Sequence, residues 1–255
     1  MMDRIAVILR GHFRTWNYVK PVVFEFYESI ATNVEYYIVS ETSATFYNVV
    51  LDFQNKTLVK AIQVPAQQEF NTSWLTPAWQ SYNIVPYKKQ REIEIEYDAV
   101  FDTRFDVIYK VIPGKPIIPP EPMTLYTSGF TTLKGSGTLD NSDVQENYYI
   151  GLRDHFFMMK SDVYDIFSHR YILPSGQNCH AAIKKICMDR NIGTNSINWM
   201  TAFIVRPDAF ELFPDPRNYR DSTRWFDLSV AEKIELLVKY KINISDYETS
   251  SPSHL

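Results

Sequence analysis

Cysteine is almost absent from this chain: Cys179 and Cys187 are the only two in 255 residues. If both lie on one helix, their spacing sets them about 12 Å apart along its axis. A disulfide needs Cα atoms within about 7 Å, so free thiols and a reducing compartment are expected. No Cys-x-x-Cys or Cys/His cluster indicates zinc. No apolar run reaches the roughly 18 residues of a membrane span. The apolar stretch in MMDRIAVIL is too short and too early for a secretory leader, and no small-residue cleavage site follows it. A cytoplasmic location fits. Excess positive charge is missing too: a net charge of −4 and a pI near 5.8 lack the basic footprint of a nucleic-acid binder. Glycine is scarce, at 8 residues. The dinucleotide fingerprint, a Walker P-loop and a Gly-x-Ser-x-Gly elbow are all absent.

Aromatics, by contrast, make up 15 % of the chain, and such rings pack cores as well as stacking on sugars and bases. The length suits one large α/β domain, here taken as 1–248 with a disordered tail at 249–255. Ile5–Leu9 is a continuous apolar run, as in a parallel strand covered on both faces. Trp16 to Ile30 follows with helical spacing, with Pro21 near its first turn or kinking it. Val34–Ser40 reads as a second strand. This β–loop–α–β order opens a Rossmann-like, mostly parallel sheet flanked by helices. Leu58–Val64 reads as a third strand. Thr76 and Pro77 read as the cap and first turn of a helix to about Ile95, bent at Pro86. PGKPIIPPEP is an ordered, extended connection. Later come strands at Met123–Gly129, His155–Lys160 and Asn198–Val205. Helices are expected from a Ser161 cap to Tyr171, from an Asn178 cap over Cys179–Arg190, and from a Ser229/Glu232 capping box to Tyr240.

The most informative stretch is YDAVFDTRFDVIYK, Tyr97 to Lys110, read as one strand. Alternation puts Asp102, Arg104 and Asp106 on one face and Phe101, Thr103, Phe105 and Val107 on the other. Two carboxylates and a guanidinium on an apolar strand need partners. The charges either sit at a strand end in a cleft, with Asp106 holding a divalent cation and Arg104 meeting phosphate, or line a solvated edge, or form an internal Asp–Arg–Asp salt bridge.

Other motifs add candidates. RGHFRTW joins the first strand to the first helix, where an α/β sheet receives phosphates. There Gly11 permits close backbone approach, while Arg10 and Arg14 offer fork-shaped donors. GLRDHFF sets Arg153, Asp154 and His155 before an apolar strand. Asp154 could deprotonate an acceptor hydroxyl or serve as a turn residue, and His155 reads as a core histidine. His180, at a helix start, either completes a metal site or helps cap. TTLKGSGTLDNSD, with its glycines and hydroxyls, suits a lid or a plain surface loop. Trp74 and Trp79 stack on a ligand or pack the core.

In this order, IAVILRGHFRTW, a strand ending near Val39-Ser40, YDAVFDTRFD and RDHFFMMKSDVYDIF resemble GT-A-type glycosyltransferases of bacteria, bacteriophages and large viruses. The shared phrase is a Tyr-Asp followed by Arg-x-Asp, here Tyr97-Asp98 and Arg104-Phe105-Asp106. The resemblance runs from about Arg4 to Phe167. It implies a GT-A-like fold and sugar transfer from a nucleotide-sugar donor to a glycan or other hydroxyl acceptor, in the host cytoplasm if the source is viral. It implies that Asp106 coordinates Mn²⁺ or Mg²⁺ on the donor diphosphate, with Asp102 as second carboxylate. Arg104 stands where many relatives carry an aspartate, so a strict Asp-x-Asp is absent. Arg10, Gly11 and Arg14 would line the nucleotide pocket, Ser40 and Thr42 would lie near base or ribose, and Asp154 would face the acceptor. Two other readings use the same residues. One is a different phosphate-handling enzyme such as a nucleotidyltransferase, although RGHFRTW is poor in the glycine and lysine it should want. The other is a non-catalytic carbohydrate-binding protein.

Overall fold

The computed structural model describes residues 1–13, 16–65, 75–127, 130–133, 149–152, 156–172 and 179–204. Its strands are β1 (Met2–Arg10), β2 (Ala31–Glu41), β3 (Thr57–Val64), β4 (Ala99–Arg104), β5 (Val107–Val111), β6 (Thr124–Thr127), β7 (Phe130–Leu133), β8 (Tyr149–Leu152), β9 (Phe156–Met159), β10 (Gly193–Ser196) and β11 (Met200–Ile204). Its helices are α1 (Trp16–Ile30), α2 (Phe46–Leu51), α3 (Leu75–Arg91), α4 (Ser161–Phe167) and α5 (Cys179–Asp189), with a 3₁₀ turn at Ser168–Ile172. Seven strands form one sheet in the order β10–β6–β9–β4–β1–β2–β3. β9 alone runs antiparallel to its neighbours, while the other pairings are parallel. This is the mixed, mostly parallel sheet flanked by helices expected from the sequence. β5 pairs with β11, and β7 with β8, in two small antiparallel sheets.

Helices cover both faces, which is why Ile5–Leu9 is apolar without alternation. On one face Val19, Val23, Tyr27 and Ile30 of α1 pack on Val7, Leu9 and Phe101. On the other, Ile84 of α3, Val163 and Phe167 of α4 and Ile183 of α5 pack on Ala6, Ile8 and Val100. α5 carries both cysteines, too far apart along its axis to pair. Cys187 is a free, buried thiol that burial pushes up to about 12. Past α5, Asn191 turns left-handed (φ +54°) and Ile192 N–H donates to the Cys187 carbonyl, closing the helix end. Among the described residues no helix is long and apolar enough to cross a membrane.

Several expectations are corrected. The strand expected over Tyr97–Lys110 is two, because the chain turns at Phe105–Asp106 and leaves the main sheet. Phe105 drives the turn by packing edge-on against Phe13 (4.6 Å) and Trp16 (5.2 Å), anchoring the crossing to the start of α1. Thr76 and Pro77 lie inside the first turn of α3, which begins at Leu75, so Thr76 is no cap. Ser161 does not cap α4 either: its hydroxyl bonds to Glu92 and to the buried Lys88 ammonium, joining α3 to α4. Lys88 is further held by Glu92 (2.7 Å) and Asp165 (3.0 Å). Part of the segment expected as a lid or surface loop is strand, since Thr131–Leu133 belong to β7. α2 and β10 were not anticipated. The helix expected after Ser229 and the tail at 249–255 lie outside the described residues.

Phe101, buried between Tyr27 (5.2 Å) and Phe156 (5.7 Å), sits at the centre of one layer. Phe101→Ala should cost about 3–5 kcal/mol of unfolding free energy, measured by urea denaturation.

Candidate functional site

From central β1 the chain passes through α1 to β2 and β3, then returns through α3 to β4 on β1's other side. α1 and α3 lie on opposite faces. Strand order therefore reverses between β1 and β4, and such a reversal leaves a crevice beyond the strands' carboxyl ends. The last residues of β1 and β4, Arg10 and Arg104, are register partners there. Gly11 follows with φ +104°, its N–H donating to the Val39 carbonyl (3.2 Å). A Cβ on Gly11 would meet nothing within 4 Å. Glycine is required by the backbone angle, not by lack of space.

Two arginines side by side repel unless countercharge is near, and Asp102 and Asp106 supply it. Asp102 lies on the same sheet face as Arg10 and Arg104 and is fully buried. Arg10 Nε donates to its Oδ1, and Arg170 Nη2 donates to its Oδ2 (3.0 Å). Arg170, on the 3₁₀ turn, also donates to Ser81 Oγ (3.0 Å) and to the Phe167 carbonyl (3.3 Å) and lies over the Phe167 ring. Burial alone would raise the Asp102 carboxyl, but the Arg10 and Arg170 guanidinium groups outweigh it and hold it below the usual range. Asp106 is gripped by both prongs of one fork: Arg104 Nε to Oδ1 (2.8 Å) and Nη2 to Oδ2 (2.6 Å). Asp106 is 2 % exposed, whereas the Arg104 side chain is 21 % exposed. Arg104 is the part of this pair that reaches solvent.

The fold thus brings Arg10, Gly11, Asp102, Arg104 and Asp106 to one edge. Ser40 adjoins it at the end of β2, buried, its hydroxyl donating to the Glu41 carbonyl (2.9 Å). Thr42 lies exposed just beyond. Arg14, Arg153, Asp154, His155 and Trp74 lie outside the described residues, as does the side chain of His180 on the first turn of α5. Arg10, expected to face a ligand, points inward and is 1 % exposed. Two of the expected cation ligands, Asp102 and Asp106, do not fit a divalent ion as they stand: both oxygens of each accept from guanidinium groups. Among the described residues no three His, Cys, Asp or Glu side chains gather as a metal site. Arg170 and Ser81 were missed. The only signal for Arg170 was a charge in the stretch that follows α4, and Ser81, one hydroxyl on α3, gave none. Trp79 stacks with Tyr82 and meets Tyr171 edge-on (5.8 and 5.0 Å), so it joins a half-buried aromatic cluster beside that turn.

No protein-family model matches this chain, and no curated protein does. Among solved structures it is similar to a glycosyltransferase involved in glycosylation of the major capsid of PBCV-1. That overlap covers 76 % of this chain and 81 % of that one, at 12 % identity and a TM-score of 0.39. It is also similar to a 4-diphosphocytidyl-2C-methyl-D-erythritol synthase, over 92 % of this chain and 99 % of that one, at 11 % identity and a TM-score of 0.41. Overlaps this loose carry no argument about chemistry.

Arg170→Met would leave Asp102 with a single guanidinium hydrogen bond inside the core. Breaking a buried pair in this way costs about 3–5 kcal/mol, measurable by urea unfolding. A carboxyl depressed in the folded state adds stability above its unfolded value of about 3.9, lost as pH falls through the folded value. Acid should therefore destabilise the wild type below about pH 4. Asp102→Asn should show a shallower slope there in unfolding measured against pH, with Glu35 contributing part of what remains. Burial would raise that carboxyl as well, but hydrogen bonds from Arg91 and Tyr97 hold it low.

Proposed function

We propose that this chain is a nucleotide-sugar-dependent glycosyltransferase, with its donor diphosphate at the carboxyl edge of β1 and β4. The observation that carries this reading is the adjacent pair Arg10 and Arg104 beside Gly11 at the strand-order reversal. Departure of the sugar breaks the bond between the anomeric carbon and the diphosphate oxygen. Negative charge then collects on the leaving diphosphate while positive charge develops on the sugar. A guanidinium held rigidly at the strand end stabilises that negative charge with little reorganisation. Arg104 supplies it directly, and the Arg10–Asp102–Arg170 cluster fixes the backbone that presents Arg104. Gly11 lets the main chain come close to the phosphates, and the exposed Thr42 sits where a ribose hydroxyl would be met. Asp154 would accept the proton of the acceptor hydroxyl. The GT-A resemblance of IAVILRGHFRTW and YDAVFDTRFD supports this reading.

A nucleotidyltransferase would use the same edge of a similar sheet. It should want a loop after β1 rich in glycine and lysine, and here Gly11 is the only glycine and no lysine stands between Arg10 and Trp16. The two chemistries separate cleanly. The transferase releases nucleoside diphosphate from a nucleotide sugar when an acceptor, or slowly water, takes the sugar. The nucleotidyltransferase releases pyrophosphate from a nucleoside triphosphate and a sugar phosphate.

A panel of nucleotide sugars followed by thermal shift and by diphosphate release tests the reading. At least one donor should stabilise the protein and yield free diphosphate, and no response to any donor would overturn it. Arg104→Gln should weaken nucleoside diphosphate binding about tenfold or more, since a charged hydrogen-bond fork is lost; calorimetric titration checks this.

A further inference from the structure

We propose that residues 115–122, KPIIPPEP, are a preformed polyproline II ligand for a partner protein that carries an aromatic-lined groove. This surface is independent of the transferase reading. Proline fixes φ at about −65°, and a residue that precedes proline is pushed out of the helical region towards an extended one. From Lys115 to Pro122 only Ile117 escapes both constraints. The segment is neither helix nor strand. Beyond Lys115 its three N–H groups, of Ile117, Ile118 and Glu121, make no main-chain hydrogen bond among the described residues. Polyproline II, which has no internal hydrogen bonds, satisfies all of this.

Burial follows the threefold period of that helix. Pro116, Pro119 and Pro122 share one edge and are all exposed. Lys115, Ile118 and Glu121 share a second edge and are exposed as well, Ile118 to 45 %. The third edge faces inward: Ile117 packs on the core and Pro120 is buried. Stiffening a connection is indifferent to which edge its prolines occupy, yet three of these four lie together in solvent. With a rise of about 3.1 Å per residue, they stand about 9 Å apart along one ridge. Three X-Pro pairs are thus presented in succession, and Pro-x-x-Pro spacing on this helix is what aromatic-lined grooves recognise.

Both ends of the ridge are fixed. Before it, Ile112 N–H donates to the Trp199 carbonyl (2.8 Å), and Gly114 (φ +75°) turns the chain so that Lys115 N–H meets the Ile112 carbonyl (3.2 Å). After it, Thr124 Oγ1 donates to the Pro122 carbonyl (3.1 Å) and Gly193 N–H to the Met123 carbonyl (2.8 Å). A ligand already held in its bound shape loses little further freedom on docking. β6 and β4 both run antiparallel to β9, so the ridge enters β6 at the sheet's amino edge, opposite Arg104. A docked partner leaves the candidate site open.

Binding of the labelled full chain to an array of purified SH3, WW and EVH1 domains tests this. At least one domain should bind. The double variant Pro119→Ala/Pro122→Ala should bind it about tenfold or more weakly, since two contacts at the centre of the interface are lost. Ile118→Ala leaves every proline in place and should weaken the same complex, so the outcome does not hang on one variant folding. Ile93→Ala removes another exposed apolar side chain (85 % exposed) and should bind as the wild type does. Failure of every domain to bind overturns the assignment. So does binding that persists in both ridge variants, or that falls equally in Ile93→Ala.

Discussion

The buried carboxylate of Asp102 is the constraint on which the rest of the candidate site depends. It is the point where β1, β4 and the 3₁₀ turn after α4 meet, through Arg10 and Arg170, with Ser81 of α3 bonded to the same Arg170. A buried ion cluster adds little net stability compared with a well-packed apolar one, but removing one member is severe. Its effect is therefore one of arrangement. With Asp102 in place, the ends of β1 and β4 must stay in register, and Arg104 is delivered to the rim one pleat further on.

α3 is secured by the same device at its other end. Its last turn carries Arg91, which clasps the buried Glu35 of β2 with two hydrogen bonds (2.8 and 3.0 Å), while Tyr97 donates a third (2.7 Å). Tyr37 meets the Tyr97 hydroxyl, completing a polar lining at the amino side of the sheet. Between these anchors lies Pro86, which cannot donate the usual hydrogen bond to the carbonyl of Tyr82. A hydroxyl contact at one end and an ion pair at the other flank the interrupted ladder in the middle. The helix that bridges β3 to β4 is thus held by polar contacts at both ends as well as by the apolar packing of Ile84.

What the sequence disclosed was mainly periodicity. Ile5–Leu9, the α1 stripe, Val34–Ser40 and Cys179–Arg190 all correspond to real elements, because continuous apolar runs and helical spacing reflect burial directly. The break inside the charged strand was invisible, because Phe101, Phe105 and Val107 keep the same two-residue alternation straight through the turn and all enter one apolar layer. The charges were recognised as needing partners, and the Arg104–Asp106 half of the internal salt bridge was among the alternatives, but the partners of Asp102 could not be named. Arg170 lies 68 residues from Asp102 in the chain, and no local pattern encodes that pairing. Ser161 shows the converse: a good capping residue by type, diverted because a buried ammonium nearby needed an oxygen.

The lone reversed strand has a consequence for how the molecule is assembled. β9 wedges between β4 and β6, both of which precede it in the chain. As the polypeptide leaves the ribosome, the block β3–β2–β1–β4 can close on itself while β6 has nothing to join. Until Phe156–Met159 arrives, two naked strand margins face outward, each a template for pairing with a neighbouring nascent chain. Because so much of the sheet waits on a late, distant insertion, the final closure should be slow, and this seam is where self-association during synthesis would begin.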